Sequence, residues 1–202
     1  CFSPENFITK KGSRISSFPI KGTRPRSGNK IEDNKLKQDL ANSVKDKAEH
    51  VMIVDLIRND LGKICEYGSI HIKNLYNIKS FETIHHMETE IRGKLIKNIN
   101  FENIITALFP SGSITGAPKE RSMEIIDKVE NYNRELYTGT IGYFGPNGYM
   151  NFNVAIRTLV FNQNNGIYPV GGGIVWDSTP EGERIEALNK AKIINHMLNE
   201  YA

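Results

Sequence analysis

Leu36 and Leu40 stand at helical spacing in an otherwise polar run, which predicts a short helix over residues 31–42. Ser43 with Asp46 three residues on has the pattern of a capping box. The helix it opens runs to about Gly62, with Ala48, Val51, Met52 and Leu56 as its apolar stripe. Residues 10–30 read as strand and loop. Residues 64–67 and 70–91 read as strands and turns, with only loose alternation at Ile70, Ile72, Leu75 and Ile78. Asn100 caps a helix over Phe101–Leu108, a loop covers 109–117, and Pro118 opens a helix carrying Met123, Ile126 and Val129. Strands over 138–144 and 149–161 flank the turn Gly145-Pro146-Asn147-Gly148, with Phe152, Val154 and Ile156 alternating. After a second turn at Asn164-Asn165-Gly166 comes a strand over 167–176, broken by Gly171-Gly172-Gly173. Ser178, Pro180 and Glu181 start a last helix to Tyr201, with Ala187, Ala191, Ile194 and Leu198 inward. Helices and antiparallel strands in separate runs indicate an α+β fold rather than a doubly wound one.

The 202 residues suit one domain or most of one. At 39% hydrophobic and 24% charged the chain has an ordinary globular composition. The formal charge of +3 and pI near 8.8 come from bases interleaved with acids, weak support for a nucleic-acid partner. Two cysteines offer neither a disulfide framework nor a metal spacing and fit a reducing, cytoplasmic setting. No apolar run approaches a membrane span, and no signal peptide is seen. The chain does not begin with Met and opens inside an active-looking loop, so the expectation is a single domain over 1–202 that forms the C-terminal part of a longer protein.

Five local patterns carry candidate chemistry. Glu5 follows Ser3-Pro4, and Lys21 lies between Pro19 and Pro25 beside Gly22. Prolines restrict the backbone and a glycine permits a tight turn, so Lys21 would be presented in one direction. A desolvated lysine amine is a nucleophile, although the same pattern suits a surface turn. Asp46 and Glu49 share one helix face, as do Glu183 and Glu186, and such carboxylates suit Mg²⁺ or merely offset the helix dipole. The bare N–H groups of Gly171, Gly172 and Gly173, and the 113–119 stretch before a helix, could hold a carboxylate. Asp55 falls near the apolar stripe and is expected to form an internal ion pair with Arg58. His85 and His86 are adjacent, so at most one faces a site.

In their order along the chain, these residues resemble the chorismate-utilising enzymes. The motifs are Ser3-Pro4-Glu5, 19–26, Ala48-Glu49-His50 with 54–62, His86, 109–119, Tyr137 with Gly142-Tyr143-Phe144, Ala155-Ile156-Arg157-Thr158, 171–175 and 180–186. The resemblance implies two facing, mostly antiparallel sheets with outer helices that enclose Mg²⁺ and chorismate. By position, Glu49 and Glu186 match direct Mg²⁺ ligands, with Asp46 and Glu183 behind water. Arg157, Tyr137 and the N–H groups of Gly171, Gly172 and Gly173 match the groups that hold the enolpyruvyl carboxylate. Thr115 and Gly116 match the loop lining the substrate, with Lys119 placed to reach the same anion. Glu5 matches the general acid and His86 the ring-side histidine.

Lys21 discriminates within that family. Members that form anthranilate or salicylate carry a small residue there, whereas those forming aminodeoxychorismate for folate carry lysine in Pro-Ile-Lys-Gly-Thr. The resemblance then implies attack of the lysine on chorismate, displacement by ammonia, and a glutamine amidotransferase subunit as the ammonia source. An anthranilate-forming enzyme is the alternative, and a non-catalytic family domain is a third. Trp176 stands where the family usually has a small residue.

Overall fold

The computed structural model describes residues 1–162 and 165–201, with side chains of the last helix described through residue 194 except 193. Asn164 of the second turn and the Leu198 side chain lie outside the described residues. The chain opens with β1 (Asn6–Lys11), β2 (Arg14–Phe18) and β3 (Ile20–Pro25). Helices α1 (Lys30–Asn42) and α2 (Val44–Gly62) follow, then β4 (His71–Ser80) and β5 (Ile84–Lys94). Next come α3 (Phe101–Leu108), the one-turn α4 (Gly112–Thr115) and α5 (Lys119–Val129). The last part holds β6 (Gly142–Phe144), β7 (Met150–Asn153), β8 (Val160–Asn162), β9 (Asn165–Ile167) and α6 (Pro180–Tyr201). Strands β1 to β7 form one antiparallel sheet, and β8 and β9 a separate hairpin. The α+β class read from the sequence is therefore the observed one.

β5 organises the sheet. β4 pairs along one edge, while β2 and β3 share the other, with Ser17 opposite Ile91 and Ile20 opposite Glu88. Pro19 separates β2 from β3, yet its carbonyl still accepts the Thr89 N–H at 3.4 Å, so the two run on as one interrupted strand. The register slips between Lys21 and Thr23, where Gly22 has φ +77°. A side chain at Gly22 would lie 2.8 Å from Leu40 and 2.9 Å from the Asp46 carboxylate. This bulge re-aims Lys21, a common use of bulges beside functional sites.

α2 supplies the core facing the sheet, through Ile53, Val54, Ile57 and Leu61 against Ile8, Ile15, Ile91, Ile104, Leu108 and Phe152. The predicted stripe is rotated from the observed one. Ala48 and Met52 are exposed, and the buried face begins at His50. Several Val, Met and Ala positions fit either phase, and only contact with the sheet selects one. The caps expected at Ser43 and Asn100 are observed, and Asn29 adds a third. Asn29 accepts the N–H groups of Ile31 and Glu32, Ser43 accepts that of Asp46, and Asn100 closes a capping box with Asn103. The Asp46 carboxylate, however, pairs with Arg24 at 3.0 Å instead of closing its box. In α6 the capping hydroxyl belongs to Thr179, which accepts the Gly182 N–H at 3.2 Å, while Ser178 donates to Glu183 at 2.6 Å.

Four other expectations are corrected. The hairpin of β1 and β2 starts earlier than the reading of residues 10–30 allowed. The strand expected over 149–161 ends at Asn153, and the chain then turns through Arg157 at φ +50°, whose carbonyl accepts the Phe2 N–H at 3.0 Å. The strand expected over 167–176 stops at Ile167. Asp55 and Arg58 do pair, at 3.1 Å, but with both side chains 55% exposed. Such a pair contributes little to stability.

Candidate functional site

Glu5 lies immediately before β1, where its own carbonyl takes the Val154 N–H at 3.0 Å. Its side chain is buried, at 7% exposure. Burial pushes its carboxyl up from the ordinary range, against the opposing pull of the Ser113 hydrogen bond and of Lys21. Lys21 sits on β3 and not in the loop expected for it. Its Nζ donates to the Ser113 carbonyl at 3.2 Å. Ser113 belongs to α4, in the middle of the stretch read as loop. A buried acid and a lysine amine thus meet beneath one turn of helix.

His50 is the next neighbour of Lys21. It is fully buried, and its Nε2 is hydrogen-bonded to the Thr89 hydroxyl at 2.6 Å. Thr89 Oγ1 already accepts the Tyr76 N–H at 3.2 Å, so its own proton is free for the imidazole. Burial, helped by the nearby Lys21 charge, pushes the imidazole down to about 4 and keeps it neutral.

The glycine ribbon ties the rest together. A side chain at Gly171 would stand 2.7 Å from the Tyr137 hydroxyl, one at Gly172 2.6 Å from Glu183, and one at Gly173 3.9 Å from Lys21 Nζ. The close approach read from the sequence is therefore real, and it links Tyr137, the carboxylates of α6 and Lys21 in consecutive steps. Lys190 anchors the ribbon by donating to the Gly171 carbonyl at 2.8 Å and to Glu186 at 2.5 Å. Arg157 is half-buried beside Tyr137 and Tyr168, and no ion pair among those of the described residues engages it. Burial raises the Tyr137 phenol. This end thus presents a guanidinium and a phenol side by side.

The acid pairs are placed less decisively. Among the described residues no three His, Cys, Asp or Glu side chains converge closely enough to hold a metal ion. Asp46 is taken by Arg24, and Glu186 by Lys190. The donor chemistry nonetheless fits a hard cation. Glu183 Oε2 is buried without a hydrogen-bond partner, and Gly172 leaves the space before it and Glu186 open. Glu49 is half-buried on α2.

His86 is buried on β5 with both ring nitrogens unpartnered. It packs on Phe81 at 4.6 Å between ring centroids and has Glu88 4.0 Å from Nε2. Burial lowers its basicity, with Glu88 acting in the opposite sense. His85 points into a different network, between Ser80 at 2.8 Å and Asp33 at 3.0 Å, as the alternation of a strand requires. Thr115 and Gly116 lie on α4 and at its end. The Thr115 hydroxyl donates to the Ser111 carbonyl at 3.2 Å. Lys119 does not face this site. Its ammonium contacts buried Asp60 at 2.5 Å and the Leu108 carbonyl at 3.0 Å. The reading that aimed it at the anion is thereby corrected.

Sequence reasoning placed His50, Asp60 and Ser113 inside quoted motifs without giving any of them a role of its own, and it missed Lys190. Two of them left a signal. Asp60 stands three residues after Ile57 and seven after Ile53 on the buried face of α2, and Lys190 stands four after Glu186.

The chain belongs to the chorismate-binding enzymes: residues 1–196 match the family described as chorismate binding enzyme. It is 43% identical over 198 residues to an anthranilate synthase component 1 of Haloarcula marismortui, covering 98% of this chain and 39% of the relative. It is 42% identical over 191 residues to the aminodeoxychorismate synthase component 1 of Bacillus subtilis, covering 95% and 41%. Among solved structures, anthranilate synthase component I from Streptococcus pneumoniae TIGR4 aligns with a TM-score of 0.84 at 34% identity, over 94% of this chain and 42% of that one. The chain thus spans less than half the length of these relatives. No helix among the described residues is long and apolar enough to cross a membrane.

Proposed function

We propose that this chain is the catalytic part of an aminodeoxychorismate synthase component I. The observation that carries this reading is Lys21, held between the Ser113 carbonyl and Gly173 next to buried Glu5. Overall identity does not choose between the activities, because relatives of both names match equally well. The choice rests on the lysine.

In the proposed reaction the Lys21 amine, once it has given up its proton, attacks C2 of chorismate. The C4–O bond breaks, and the hydroxyl leaves as water with the proton of Glu5. Burial keeps that proton on Glu5 at a higher pH than an exposed carboxyl would allow. Ammonia then adds at C4, the C2–N bond breaks, and the amine of Lys21 is restored as 4-amino-4-deoxychorismate departs. Arg157, Tyr137 and the N–H groups of Gly171, Gly172 and Gly173 hold the enolpyruvyl carboxylate, and Arg suits this through its planar fork. Thr115 and Gly116 line the ring. Buried, unpartnered His86 stands on its side. Glu49 and Glu186 would hold Mg²⁺, with Asp46 and Glu183 behind them. The ion, when bound, would neutralise and orient the ring carboxylate. Ammonia would come from a glutamine amidotransferase partner, in a cytoplasmic route to 4-aminobenzoate and folate.

The test is mass spectrometry of the full-length protein with chorismate and Mg²⁺ but no ammonia, beside Lys21→Ala. A chorismate-derived adduct on Lys21, absent from the variant, supports the reading. Formation of anthranilate from added ammonium without any adduct would replace it with the anthranilate synthase reading.

A further inference from the structure

Asp60 and Lys119 lie outside the site, yet both are nearly enclosed, with side-chain exposures of 5% and 14%. Asp60 is on the buried face of α2, two residues before its end. Lys119 is the first residue of α5 and reaches back to the Leu108 carbonyl at the end of α3 as well as to Asp60. One ammonium therefore ties both ends of the 109–118 segment to each other and to α2. That segment carries α4, whose Ser113 carbonyl receives Lys21 and whose Ser113 side chain acts on Glu5. Within it, Ser111 caps α4, and Gly112 presses so closely on Leu56 of α2 that a side chain would stand 2.5 Å away. Lys63 covers the other oxygen of Asp60 from the surface at 2.8 Å.

We infer that the Asp60–Lys119 pair is a positioning clasp, which sets the 109–118 segment at the height where Ser113 holds Lys21 and Glu5 in register. The inference rests on the proposed reading for its consequence in turnover, but the clasp itself concerns only this chain's own contacts. Lys119 is engaged with Asp60 and the Leu108 carbonyl, and neither residue is among those proposed to hold substrate. A salt bridge serving stability alone could be replaced by apolar residues of like size without loss, since buried ion pairs often exchange this way at little cost. A clasp cannot, because an apolar side chain at position 119 has no donor for the Leu108 carbonyl.

The experiment compares the full-length protein with D60L/K119M and, as a milder change that keeps the shape of the carboxylate, Asp60→Asn. Thermal melting, amide hydrogen exchange, turnover of chorismate, and labelling of Lys21 by an amine-reactive reagent with peptide mapping are read together. D60L/K119M is expected to melt near the parent. Exchange over 109–118 should nevertheless quicken, and kcat should fall by about tenfold or more, the scale expected when a reacting group is misplaced by about 1 Å. Lys21 should label faster as its carbonyl partner withdraws, with Asp60→Asn intermediate in each. Parent-like exchange over 109–118 in both variants, or parent-like kcat in D60L/K119M, would overturn the clasp. If Lys21→Ala still turns over chorismate, the proposed chemistry fails, while the exchange and labelling results decide the clasp unaided.

Discussion

Replacing Gly112 by alanine tests the chain of contacts from helix packing to the reacting amine. The added methyl would stand 2.5 Å from Leu56 Cδ2 and 2.8 Å from its Cγ. Carbon pairs settle at about 3.5–4.0 Å, so α4 must retreat from α2 by about 1 Å unless Leu56 turns aside. The next residue is Ser113, whose carbonyl is 3.2 Å from Lys21 Nζ. A retreat of about 1 Å carries that contact beyond hydrogen-bond range. Overpacking costs about 1–3 kcal/mol. Alanine's restriction of the unfolded chain offsets roughly 0.4–1 kcal/mol of this, as Gly112 is not among the positive-φ glycines. The net is about 1–2 kcal/mol, or a melting temperature lower by about 2–8 °C for a chain of this size. Turnover should fall by about 10–100-fold through the displaced amine. Leu56→Ala removes the atoms that the new methyl meets. The double variant Gly112→Ala/Leu56→Ala should therefore recover turnover beyond the product of the single effects, with a coupling of about 0.5–3 kcal/mol. Melting curves and steady-state kinetics on the parent, both single variants and the double complete the cycle. Wild-type turnover in Gly112→Ala, or a double variant no faster than Gly112→Ala, would refute the reasoning.

Two further outcomes follow from buried titratable groups. Burial raises the Glu5 carboxyl in the folded chain, so the folded state keeps that proton to a higher pH than the unfolded state does. Its contribution to stability is complete below the unfolded value of about 4.3 and is lost as pH rises through the folded value. Glu5→Gln should flatten this decline in denaturant unfolding followed across pH, while abolishing most turnover; an unchanged slope would show that Glu5 is not the group responsible. Burial also pushes the Cys65 thiol up to about 11, and Gly93 lies against its sulfur, whereas Cys1 is exposed. A thiol reagent should modify Cys1 in the native protein and Cys65 only in denaturant, and rapid native labelling of Cys65 would contradict the packing around it.

The sequence alone determined the local elements whose signals are short-range. Ser43 and Asn100 cap helices where their side chains predict, because a cap involves only the next few N–H groups. The glycine ribbon was legible as a place of close approach, since glycines interrupting a strand commonly mark one. The ordered motifs were enough to indicate the family. Tertiary structure decided the phase of α2, because apolar residues surround that helix widely enough to fit two faces, and contact with β5 chooses between them. It also decided the partners of charges. Asp55 and Asp60 look alike in sequence, but only Asp60 is buried, and its partner Lys119 comes from a helix 59 residues further on. Spacing could not show that Lys119 reaches back to Asp60 and the Leu108 carbonyl, or that Asp46 is taken by Arg24. Such pairings depend on how distant segments dock, and burial makes an unpaired charge costly enough to enforce them.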